Sequence, residues 1–293
     1  VKSAEDAERI TRGAPLKIAA AQTLVSPDIT ANGSAVRSMI AAAAASGVRV
    51  INFCEGSLSG YSKFQMLDPD DWRSFDWHKQ EAELRAIADL CSDLRIFAVV
   101  GGAHRLAGGH PPHNSLYVFS DTGTLLTRYD KRFLSNSELG GWYSPGTAPI
   151  TFDVDGYRFG CAICIESTFP EVFQEYANLG VDAVLFSSYG IAEYFRIALR
   201  AHAGLNCIWI GGATPVQKAA KGPAGVIGPD GKWVTQCPAA PEPSLAIAVL
   251  DRDDPDYDIP LQRARPWRLR ARQGDIYREK MVDDPRSENR SGY

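Results

Sequence analysis

Two short, mostly apolar runs, LKIAAAQT (16–23) and VRVINFCE (48–55), each close on a polar residue. That is the profile of strands covered on both faces. Between them Val36, Met39, Ile40, Ala43 and Ala44 recur at helical spacing, and Gly47 supplies a stop signal. Leu84, Ile87, Ala88, Cys91 and Leu94 repeat the stripe ahead of the apolar run IFAVVGGAH, so this part of the chain reads β-α-β-α-β. From Ser115 the rhythm becomes strand, turn, strand: SLYVFS and LLTRYDK about Asp121-Thr122-Gly123, then PITFDV and YRFGCAIC about Asp155-Gly156. Helix 170–179, strand VDAVLFSSY, helix 192–205 and strand CIWIGGAT restore the alternation, and a last hairpin turns at Pro229-Asp230-Gly231 before SLAIAVLD. Alternating helices imply covered sheet faces, and the hairpins make the sheets mixed.

Composition narrows the class. The 293 residues carry a net charge of −4 and are 45% hydrophobic, enough for a core that needs no disulfide or metal support. The basic excess expected of a nucleic-acid binder is absent, and no run approaches the roughly 20 apolar residues that span a bilayer. The start, VKSAEDAERITRG, is charged where a secretory signal is apolar. Cys54, Cys91, Cys161, Cys164 and Cys207 sit in apolar runs and read as reduced, buried thiols. A cytoplasmic protein is expected. With no linker or repeat, it divides into an N-terminal segment (1–14), one α/β domain (15–254) and a charged arm (255–293). In the arm Pro255, Pro260, Pro266 and Pro285 interrupt any long helix. The arm's five arginines between Arg263 and Arg272 read as a solvated or subunit-wrapping surface, with a phosphate patch as the alternative.

Ligands of α/β sheets bind at the carboxyl ends of strands, and three reactive residues fall there: Glu55, Lys131 and Cys164. Each alone has an ordinary structural reading, a surface charge or a buried inert thiol. Together they make a base, a cation and a nucleophile, the minimum for acyl transfer through a thioester. A free thiol is only a few per cent ionised at neutral pH and needs a base or a positive field. Glu55 can take its proton, and Lys131 can stabilise the oxyanion beside the backbone N–H that follows the nucleophile. Cys161-x-x-Cys164 has metal-like spacing, but residues three apart on a strand face opposite ways and no second pair completes a zinc site. His104 and His113 flank the loop LAGGHPPHN without metal-ligand spacing, and His202 lies among apolar helix neighbours. No GxSxG, Walker loop or GxGxxG following a strand is present.

Glu55-Gly-Ser-Leu-Ser-Gly-Tyr61, Tyr129-Asp-Lys131-Arg-Phe-Leu134, and Gly160-Cys-Ala-Ile-Cys164-Ile-Glu166 with Phe169-Pro-Glu171 resemble the three signature blocks of the nitrilase superfamily of carbon–nitrogen hydrolases. Their order, strand-end setting and intervals match, and the likeness runs from about Leu16 to the Trp267 region. The resemblance implies a four-layer α-β-β-α sandwich with a Glu-Lys-Cys triad and no metal or organic cofactor. It also implies a homodimer or higher even homo-oligomer whose C-terminal arms cross to the neighbour. Glu138 occupies the place of the family's second glutamate, which holds the lysine; the alternative is a loop carboxylate paired with Arg132. Arg200-Ala201 and Asn206 match a helix block of the family, while Ala203 and Gly204 depart from its acidic-Asn pair.

The implied activity is hydrolysis of a small amide or N-carbamoyl compound with release of ammonia or an amine. Nitrile hydrolysis and N-acyl transfer by the same triad stand as alternatives. True nitrilases carry Trp-Glu after the cysteine, and Ile165-Glu166 matches only the acid. Relatives that act on N-carbamoyl amino acids hold the substrate carboxylate with an arginine three or four residues past the nucleophile. Ser167 and Thr168 stand there, which points to a neutral or cationic amide. Tyr61, Trp142, Ile165, Ser188 and Tyr189 are the expected pocket lining, with Trp142 equally readable as a core residue.

Overall fold

Strand β1 (Leu16–Thr23) is covered on both faces: Leu16, Ile18 and Ala20 enter one core, Ala19 and Ala21 another. The structure, a computed structural model, describes residues 14–292. All of the expected N-terminal segment except Ala14 lies outside that range. Beside β1 run β2 (Val50–Asn52) and β3 (Phe97–His104), both parallel to it. The antiparallel strands β4 (His113–Phe119) and β5 (Leu125–Asp130) extend the sheet. A second sheet is ordered β6-β7-β8-β9-β10-β11, from β6 (Thr151–Val154), β7 (Tyr157–Ile163), β8 (Ala183–Ser187), β9 (Trp209–Pro215), β10 (Gly225–Ile227) and β11 (Trp233–Gln236). Its three middle strands, β7 to β9, are parallel, and hairpins form both edges. The last strand, β12 (Ser244–Leu250), returns to the first sheet and lies antiparallel to β1 with Leu250 opposite Leu16. At the far end of β1, Gln22 and Thr23 pair instead with Thr214 and Pro215 of β9, which joins the two sheets.

Helices α1 (Ile29–Ala45) and α2 (Trp77–Leu94) cover the first sheet, setting Val36, Ile40, Ile87 and Cys91 on Ala19 and Ile51. Asp28 caps α1 by accepting from the N–H groups of Thr30 and Ala31, and Gly47, at φ 74°, follows its end. Helices α3 (Pro170–Asn178) and α4 (Glu193–Asn206) cover the second sheet through Phe173, Tyr176, Phe195 and Leu199. Between the sheets Ile18, Val50 and Val99 meet Phe159, Cys161, Leu185 and Trp209. The architecture is the α-β-β-α sandwich that the motifs imply.

Three details depart from the pattern read along the chain. The run VRVINFCE pairs only as far as Asn52, because residues beyond it cross over β3: a Cβ at Gly101 would lie 2.2 Å from the Cys54 carbonyl oxygen. Ser57 fastens that crossing by hydrogen bonds to both backbone groups of Gly101, so Glu55 sits in a docked turn and not on a strand. Second, the Pro229-Asp230-Gly231 turn joins β10 to β11, whereas SLAIAVL crosses back to β1. Third, Pro266 lies in the first turn of α5 (Arg265–Gln273), where a missing N–H costs nothing, so it starts that helix.

The arm is bound to its own chain. Arg268 donates to the carbonyls of Gly204 (2.6 Å) and Leu205 (3.1 Å), and Arg272 to Asn206 Oδ1 (2.9 Å). These cations meet the C-terminus of α4, where free carbonyls and the helix dipole favour positive charge. Arg265 pairs with Asp182, which also holds Arg252 (2.6 Å), and Arg263 pairs with Asp258.

Candidate active site

Lys131 is the first residue past β5, fixed by its N–H to Asn114 O (2.9 Å) and by Gly146 N–H to its own carbonyl (2.8 Å). Its side chain is fully buried. The ammonium lies 2.9 Å from Glu55 Oε1 and 2.8 and 2.9 Å from the two oxygens of Glu138. Buried charges of this kind persist only when paired. Both carboxylates are held further: Glu55 Oε1 accepts from Asn114 Nδ2 (2.7 Å), Glu55 Oε2 from Tyr189 N–H (3.0 Å), and Glu138 Oε2 from Ser135 N–H (2.7 Å). Burial alone would lower the Lys131 pKa; Glu55, Cys164 and Glu138 outweigh it and hold the ammonium well above its usual value. Burial alone would raise the Glu138 carboxyl, but Lys131 and Ser135 bring it below the ordinary range. The alternative partner for Glu138, Arg132, instead pairs with Glu175 at 2.7 Å.

Cys164 opens a 3-10 turn, Cys164–Thr168, directly after β7, and takes φ 51°. A non-glycine residue in that region carries a strain of about 1–3 kcal/mol, held here by what surrounds it. On β7 the alternation sends Cys161 into the inter-sheet core, while Cys164 has left the strand and packs against both the inner and the outer core. Burial first, then Glu55, pushes the Cys164 thiol up to about 12, against the opposite pull of Lys131 and Ser188.

Sequence reasoning missed two buried groups here. Asn114 Nδ2 bonds Glu55 and reaches Glu138 Oε1 at 3.4 Å, tying the two carboxylates together. Glu166, fully buried, accepts from Ile163 N–H (2.7 Å), just before Cys164. It also accepts from Arg132 N–H (2.8 Å) and Phe133 N–H (3.1 Å), just after the lysine, and from the Tyr129 hydroxyl (2.8 Å). One carboxylate thus ties the end of β7 to the end of β5. Glu166 stood within a matched motif, which was its only signal; Asn114 had none, since a polar residue at the start of a strand is commonplace.

The expected lining residues separate. Tyr189 reaches Glu55 through its backbone, and its ring stacks on Tyr61 at 4.4 Å, with the Phe64 ring 5.1 Å from Tyr189 and 5.9 Å from Tyr61 in the same cluster. Burial, then Glu55, Cys164 and Glu138, hold the Tyr61 phenol far above its usual pKa. Ser188 lies beside Cys164 and donates to Gly190 O (2.7 Å). Ile165 leans on the outer core with Phe133 and Phe169. Trp142 packs with Met66, Trp72 and Tyr143, and its N–H donates to the Glu138 carbonyl (3.1 Å). His104 and His113 sit opposite each other on β3 and β4, bonded to Tyr117 and to the Ser144 carbonyl. His202 stacks on Phe173 and bonds the Ser167 carbonyl. Among the described residues no group of three His, Cys, Asp or Glu is arranged to hold a metal ion, and no helix is long and apolar enough to cross a membrane.

A double-sheet α/β sandwich with a buried ammonium and two carboxylates near a strand-end thiol defines a hydrolase of carbon–nitrogen bonds. The family model "Carbon-nitrogen hydrolase" matches residues 17–255, and the chain belongs to that family. It is 25% identical over 281 residues to the omega-amidase NIT2-A of Xenopus laevis, covering 90% of this chain and 97% of that protein. A formamidase of Bacillus cereus is 23% identical over 137 residues, 43% of this chain and 39% of that protein. Among solved structures, an amidase from Nesterenkonia sp. superposes with a TM-score of 0.73 at 21% identity, over 94% of this chain and 99% of that one.

Proposed function

We propose that the chain hydrolyses a small amide through a thioester on Cys164, releasing ammonia or an amine and a carboxylic acid. The observation that carries the reading is the Lys131 ammonium clamped between the buried carboxylates of Glu55 and Glu138 at the strand end neighbouring the thiol. With its thiol pKa near 12, Cys164 needs Glu55 to take its proton as the sulfur attacks the amide carbon. Lys131 and the N–H of Ile165 receive the developing oxyanion. Glu55 returns the proton to the departing nitrogen, then activates the water that cleaves the thioester. Glu138 keeps Lys131 charged and oriented. Amidase and omega-amidase relatives support an amide substrate over a nitrile. We also propose a cytoplasmic setting, which six free cysteines suit. A domain over 15–254 with an arm over 255–293, in an even homo-oligomer, completes the proposal.

Cys164→Ala and Cys164→Ser should abolish ammonia release from a panel of small amides while circular dichroism stays unchanged. Mass spectrometry with a slow amide should find an acyl adduct on Cys164 and none on Cys161. Full turnover in either variant would end the reading.

A further inference from the structure

A cavity of about 790 Å³ opens beside the first turn of α2, a volume that suits a small molecule. Its lining comes from the 3-10 turn Pro69–Arg73, from Trp77 at the start of α2, and from residues 105–112 between β3 and β4. Glu55, Lys131, Glu138 and Cys164 take no part in it. Tyr143 touches Trp72 and also feels the charges of Glu55, Glu138 and Lys131. With Trp142 it forms an aromatic layer between the cavity and those buried charges.

Two indoles supply the flat surface. Trp72 and Trp77 stack at 5.9 Å with 25° between their planes; Trp72 is buried, wedged by Phe75, and Trp77 is half-buried. Arg105 lies over the Trp77 ring, its guanidinium carbon 5.9 Å from the centroid. The charge of the lining is unequal: Arg73, Arg105 and His110 meet one carboxylate, Asp70, which pairs with Arg73 at 3.2 Å. The neighbouring acids are engaged elsewhere. Asp68 and Asp71 accept from backbone N–H groups of their own turn, and Asp76 caps α2 and faces Lys79 at 3.9 Å. Among the described residues no ion pair holds Arg105, although Arg73 and Lys79 have theirs. The loop turns at Gly108 and Gly109, at φ 70° and 73°, and a Cβ on Gly109 would meet nothing within 4 Å, so this wall stands open.

A guanidinium that rests one face on an indole keeps its charge and its fork of N–H donors for an anion. We infer that this cavity is a second binding site, for a small aromatic anion whose ring lies against the indoles while its carboxylate or phosphate meets Arg105. The occupant is distinct from the amide of the proposed reaction, because the aromatic layer keeps it from the thiol. The inference stands whether or not the chain is an amidase.

The test is calorimetric binding of 2-naphthoate to the whole chain. Decahydro-2-naphthoate, with the same charge and no flat ring, should bind about 3- to 10-fold more weakly. 2-Naphthylmethanol, with the ring and no charge, should bind roughly 10- to 100-fold more weakly. Arg105 is exposed, so Arg105→Gln leaves the fold intact; it should weaken 2-naphthoate by the same 10- to 100-fold and leave 2-naphthylmethanol unchanged. Ala107→Trp, on the exposed loop, should fill the cavity and remove the binding of both, with the thermal melt unchanged. Parallel titrations with 2-naphthyl phosphate tell a carboxylate ligand from a phosphate one, and loss of either anion's binding in Arg105→Gln supports the inference. No binding of either anion to the wild type overturns it. So does 2-naphthoate that binds Arg105→Gln and Ala107→Trp as well as it binds the wild type, the result expected of an acid lodged at the thiol.

Discussion

A thiol with a pKa near 12 holds its proton at neutral pH, so the resting site contains Cys164 as SH, not as a preformed thiolate–lysine pair. The sign is set by burial and by Glu55, both of which disfavour a third negative charge beside Lys131. The ultraviolet thiolate absorbance, read as the difference between wild type and Cys164→Ala, should be absent at neutral pH and grow only as pH approaches 12. A thiolate band at pH 7 would contradict the role given to Glu55. Cys161 serves as the control, three residues away yet enclosed between the sheets, with its own thiol raised by burial. That contrast was legible in the sequence as a two-residue periodicity. The +51° φ of Cys164 was not, because strand alternation says nothing of how the chain leaves the strand.

At the level of strands and turns, the site depends on holding the ends of β5 and β7 in register, although they belong to different sheets. Glu166 does this with its hydrogen bonds to Ile163, Arg132, Phe133 and Tyr129. Glu166→Gln turns an amide donor toward N–H groups that need an acceptor. The expected result is a kcat roughly 10- to 100-fold lower, from a loss of about 1.5–3 kcal/mol, with KM little changed. Tyr129→Phe, which leaves the carboxylate in place, should fall well short of that. Equal losses in kcat and thermal stability for both variants would instead mark Glu166 as mere packing. Strands such as LKIAAAQT and the helix stops were legible because they rest on local periodicity and caps. The Glu55 turn depended on Gly101, and Asn114 on a distant segment, contacts that no local pattern encodes.

Across the whole molecule, α4 carries two stripes: Phe195, Leu199 and Ala203 face the core, while Tyr194, Ile197 and Leu205 stand 57, 61 and 60% exposed. Such a doubly apolar helix fits a covered outer face, in line with the proposed homo-oligomer. Ile197→Glu should shift the sedimentation coefficient to that of a monomer; a wild type already monomeric at micromolar concentration would refute that proposal. The arm that packs beside this helix spends Arg265, Arg268 and Arg272 on the chain itself. The pairing of β12 with β1 sets the order of events in biosynthesis. Leu16 waits for Leu250, and the groups that bond Glu55 come from both sheets. Contacts so distant along the chain make folding slow, and a nascent polypeptide has no working site until nearly all of the domain has left the ribosome.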